Sequence, residues 1–127
     1  MNPSIKALLP HLNNLHVFLA RVHDPYEPTI NNLIHIANDE KKFIHDLTQT
    51  GLFGHMGSLD DNWQKTWEDN IEVRKLIVAL GEAMESSGLS DKKMRDVTKE
   101  LKEKWLPMAE KELKKSSTRK KLKSASQ

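Results

Sequence analysis

Three observations predict an all-α, single-domain bundle of about four helices. Apolar residues recur at spacings of three and four along most of the chain. The period-two alternation of a half-buried strand is missing. Proline, glycine and serine clusters fall between the apolar stripes, where a helical chain turns. A length of 127 residues suits one domain and allows it a real core. For four helices with connections of this kind, an antiparallel up-down order is the default. Residues 1–113 form the expected bundle and 114–127 a basic, flexible tail.

The first segment places Ile5, Leu8, Leu12, Leu15, Leu19 and Val22 on one face. Pro10 lies within it and either opens the helix or kinks it. Asp24-Pro25-Tyr26-Glu27-Pro28 ends the segment, and Pro28 suits the first turn of the next. The second segment carries Ile30, Leu33, Ile34, Ala37, Ile44 and Leu47 and is expected to run to Thr50. Lys41 falls on that stripe, its stem against the core and its ammonium in water. His35 and Asp39, four apart, read as a surface pair.

Residues 51–57 form a connector of three glycines around Leu52, Phe53, His55 and Met56. A purely connecting loop would be polar, so Leu52, Phe53 and Met56 are expected to pack on the bundle or on a partner. Ser58 and Asp61 resemble a capping box. A third helix unbroken over 58–86 would be about 40 Å long. It carries Trp63, Trp67 and Ile71 one turn apart, and Val73, Leu76 and Leu80 open a second stripe in its other half. Ser86-Ser87-Gly88 stops it, and Ser90-Asp91 caps the fourth segment, whose narrow stripe is Met94, Val97, Leu101, Trp105 and Met108. Pro107 interrupts that stripe and demands a kink.

Charge is segregated. Residues 114–127 hold six Lys or Arg and no acid, whereas residues 1–113 hold 14 basic and 18 acidic groups. Lys114, Lys115, Arg119, Lys120, Lys121 and Lys123 could therefore dock on nucleic acid or another anionic surface. No aromatic interleaves them, so base stacking is not indicated. The bland alternative is a solvated end.

No cysteine is present, which removes disulfides, thiolate metal sites and Cys nucleophiles and suits the cytosol. The longest apolar run, residues 76–80, is far short of a membrane span. The amino-terminal residues lack the apolar core of a secretory signal. The expected location is cytoplasmic, or nuclear in a eukaryote. Phosphate loops, nucleophile elbows and His-Glu-x-x-His motifs are missing, so no catalytic residue and no cofactor is assigned. His16, His23, His45 and Asp46 are weak metal candidates on facing helix margins. No His-x-x-x-His or Glu-x-x-His spacing supports them, and amphipathic surface histidines explain them as well.

The informative polar residues are Thr66, Asn70 and Arg74, on the face of Trp63 and Trp67, where a plain core helix would place Leu. Buried Arg must be paired and buried Asn hydrogen-bonded. They form either a structural network with a carboxylate from another helix or the lining of a partner groove. Trp63, Trp67, Asn70 and Arg74, with Leu52, Phe53 and Met56, are the candidate partner-binding residues. The resulting expectation is a non-enzymatic adaptor with a protein partner, homo-oligomer formation left open. The alternatives are nucleic-acid docking through the tail and a His/Asp metal-binding bundle.

Overall fold

The computed structural model describes residues 2–49, 63–90 and 92–125, with the side chains of Gln49 and 116–125 excluded. Among them the chain is all-helical: α1 (Pro3–Arg21), α2 (Glu27–His35), α3 (Glu40–Gln49), α4 (Trp67–Ser86), α5 (Lys92–Glu100), a π-helical turn (Leu101–Trp105) and α6 (Leu106–Ala125). The connector 51–57 with Leu52, Phe53 and Met56, the Ser58/Asp61 cap and the Asp91 cap lie outside the described residues. No described helix is long and apolar enough to cross a membrane.

α1 starts at Pro3, where a missing N–H costs nothing, and the Asn2 side chain caps it by accepting from the Ser4 N–H at 2.7 Å. It continues through the exposed Pro10, which forfeits one backbone hydrogen bond on the solvent side. Ile5, Leu8, Leu12, Leu15, Phe18 and Leu19 are buried. The helix ends in a Schellman motif whose left-handed residue is His23, φ 56°. The His23 N–H donates to the Ala20 carbonyl at 3.3 Å and the Asp24 N–H to that of Leu19 at 2.9 Å. The αL region disfavours any Cβ, so this corner carries some strain.

The second segment is two helices rather than one. The backbone turns at residues 36–39, and Asp39 caps α3, its Oδ1 accepting from the Lys42 N–H at 3.2 Å. The break resets the register. Phe43 and Leu47 are fully buried, while Lys41, expected against the core, is exposed. His35 Nδ1 contacts the Asn31 carbonyl at 2.8 Å instead of forming a helical pair with Asp39.

Contacts at the helix ends set the order of packing. Glu27 at the start of α2 meets His16 at 2.8 Å, so α2 folds back along α1. α4 starts at the same end, where Arg21 donates to Asp69 at 2.9 Å and to Glu72 at 3.2 Å. The Asp69 hydrogen bond is the main reason that the Arg21 pKa is raised, but the pair is exposed and adds little stability. α5 and α6 run antiparallel to α4. Gly81 abuts Thr98, Lys102 donates to Glu82 at 3.1 Å, and Lys75 pairs with Glu110 at 2.9 Å. α4 is thus the central helix, between α1 on one side and α5–α6 on the other.

α4 begins at Trp67, not near Ser58. Thr66 is its N-cap, accepting from the Asp69 N–H at 3.1 Å, and the helix is about 30 Å long. A Schellman motif at Gly88 (φ 73°) closes it.

The π turn corrects the fourth stripe. The Leu106 N–H donates to the Leu101 carbonyl, five residues back, which inserts one extra residue into the helical register. Pro107, without an N–H of its own, follows directly. Up to the first residue of the turn Met94, Thr98 and Leu101 are buried; after it Leu106 and Ala109 are, and Leu113 packs against the core. Met108, which a straight α-helix would keep on the stripe, is 46% exposed. α6 carries on past residue 113 through Lys114 and Lys115 to Ala125. The side chains of Arg119, Lys120, Lys121 and Lys123 lie outside the description.

Candidate functional site

The three tryptophans of the chain, two of them four residues apart and the third some forty residues on, meet at one corner. Trp63 and Trp105 lie with ring centroids 5.7 Å apart at 59°, and Trp67 stacks on Trp105 at 6.4 Å and 29°. Beneath them Arg74 is 1% exposed, its Cζ 4.3 Å from the Trp63 ring centroid and 4.8 Å from that of Trp105. Desolvated guanidinium–indole contacts of this kind are worth on the order of 2 kcal/mol each.

Asn70 organises the polar side of the corner. Its Oδ1 accepts from the Gln64 N–H at 2.7 Å and from Arg74 Nη1 at 3.1 Å. Its Nδ2 donates to the carbonyls of Gln64 at 3.1 Å and Thr66 at 2.9 Å. These four bonds use both lone pairs and both hydrogens of the amide, so its orientation is determined. They also explain why Trp63 sits over Arg74 although it precedes the helix. Asn70 holds both backbone groups of Gln64, which folds residues 63–66 against the first turns of α4.

The network continues into the α1–α2 corner. Gln64 Nε2 donates to Asp24 Oδ2 at 2.7 Å, and Asp24 Oδ1 accepts from the Tyr26 N–H at 2.8 Å. Asp24 is itself buried. A carboxylate from another part of the chain therefore joins the polar group around Arg74, through Gln64. Satisfied networks of this kind are cooperative, because each member orients the next.

Of the residues singled out from the sequence, Trp63, Trp67, Asn70 and Arg74 are brought together, and they divide by depth. Asn70 and Arg74 are buried, whereas Trp63 is 58% and Trp67 42% exposed. Trp105, read as an ordinary core residue, is the third ring, and Gln64 and Asp24 were not anticipated. The cue for Gln64 was the Thr66-x-x-Asp69 cap. It places Trp63 and Gln64 ahead of the helix and leaves Asn70 to hold them. Met108, one turn beyond Trp105, adds an exposed thioether.

Two open concavities border α4. One, of about 460 Å³, lies beside Trp63 and is walled by His23, Asp24, Gln64 and Lys65. The other, of about 670 Å³, lies between α4 and α6, floored by Ile71 and Leu113 and rimmed by Lys75, Glu110, Lys111 and Lys114. His16 is engaged with Glu27, His45 with its neighbour Asp46 at 3.2 Å, and His23 occupies the αL corner. Among the described residues no three His, Asp or Glu side chains gather where they could hold a metal ion. The chain matches no protein-family model, no curated protein and no solved structure at a significant level.

Proposed function

We propose that this protein is a non-enzymatic binding module, an adaptor that recognises a protein partner through Trp63 and Trp67. The observation that carries the reading is the pairing of exposure with support. Two large indoles stand in solvent while Arg74, Asn70 and Trp105 hold them from below. Rigid aromatics lose little entropy on binding, and Trp is among the residues enriched at interface hot spots. The partner supplies an apolar anchor for the indole faces and for Met108. A cysteine-free chain suits a reducing compartment, and we place its action in the cytoplasm.

Selection of a random peptide library on the full chain tests this. Enriched peptides should bind the wild type and lose at least tenfold in affinity to Trp67→Ala, with the circular dichroism of the variant unchanged. Peptides that bind Trp63→Ala and Trp67→Ala as tightly as wild type would sink the proposal.

A second reading is favoured by the unbroken course of α6 beyond residue 113. The basic end, whose backbone runs on from α6, docks on an anionic surface.

A further inference from the structure

We propose that the anionic surface met by this end of α6 is the phosphate backbone of duplex nucleic acid. The inference rests on the second reading above and names its partner.

The α6 backbone is helical to Ala125, about 18 Å beyond Leu113, the last of the described side chains that packs on the core. Lys111, Lys115, Arg119 and Lys123 recur at intervals of four, with Lys114, Lys120 and Lys121 between them. On a helix each such interval is a step of about 6 Å along the axis. Lys115 is paired with Glu112 at 3.8 Å, but no acid follows Glu112 in the sequence, so like charges at this spacing repel and the extension gains from neutralisation. A row of phosphates supplies that along its whole length.

Two other anionic surfaces fit less well. An interfacial membrane helix needs an apolar face to bury, and after Leu113 the sequence offers only Leu122 and Ala125. Single strands are held by aromatic stacking, and no aromatic follows Trp105. What remains is a charged helix of the size that a duplex groove admits, gripping phosphates and reading no bases.

The test uses the full chain and a full-length variant in which Lys114, Lys115, Arg119, Lys120, Lys121 and Lys123 are each replaced by Gln, a residue that keeps helix propensity. Fluorescence anisotropy is measured with a mixed-sequence 20-base-pair duplex, the matching single strand and a heparin fragment, and sedimentation with phosphatidylserine vesicles. With six phosphate contacts, duplex affinity should fall about 10³-fold between 50 and 200 mM salt, and the Gln variant should lose binding. Tighter binding to the single strand, binding to vesicles without duplex, or unchanged duplex binding by the Gln variant would overturn the proposal. Salt-steep binding of heparin without duplex would overturn it while leaving anionic docking intact. Binding of none of the four probes would overturn both.

Discussion

The two halves of α4 are built on different physics. From Ile77 to Met84 the buried side chains are Ile77, Val78, Leu80 and Met84, with Gly81 letting α5 approach. Their stabilisation scales with apolar area and asks little of orientation. From Trp67 to Arg74 the helix buries Ile71 and Val73 too, but beside them it buries Asn70 and Arg74, each worth something only while its partners are in place. One half is purely apolar core; the other sets a polar keystone into that core, under an aromatic surface. A chain selected for stability alone would fill the Arg74 position with an aliphatic residue, since buried charges seldom add net stability. Retaining Arg there keeps Trp63 and Trp105 in set positions.

The contrast can be broken most severely from the apolar half. Ile77 is 0% exposed, and Ile77→Ala should cost about 2–5 kcal/mol in urea denaturation, by lost transfer energy plus a cavity. A loss below about 1 kcal/mol would mean that this half is not close-packed. Gly81→Ala should cost less, about 1–3 kcal/mol, because the new Cβ would run into Thr98 Oγ1, a short side chain with nowhere to swing. Its sign sharpens the comparison. Thr98→Ala in the same chain should recover most of the loss, whereas an equal loss with and without Thr98 would place the cost elsewhere.

How much of this was legible depends on what kind of interaction holds each part. The aliphatic stripe of α1 was readable in full apart from Phe18, because helical periodicity and apolar burial are both local properties of the sequence. Likewise Asn70 and Arg74 announced themselves as polar groups on an apolar face. Turn chemistry was read less well. Asn38-Asp39 offered a cap between Ile36 and Glu40, yet the apolar spacing on either side happened to match one continuous helix. The π turn was not visible, since Pro107 signals a disturbance and not the single-residue insertion that absorbs it. That insertion exposed Met108 and buried Leu106 and Ala109. Trp105 could not be placed with Trp63 and Trp67 from the sequence, because their meeting depends on how α4 packs against the π turn.

The direct test of the account is whether Arg74 and its indoles act as one unit. A double-mutant cycle on Arg74→Ala and Trp105→Ala, followed by urea denaturation, isolates their coupling. A favourable coupling of about 1–2 kcal/mol is expected, the size of a desolvated guanidinium–indole contact. Additivity within about 0.5 kcal/mol would contradict it, leaving Trp63 and Trp67 as exposed rings with no common support.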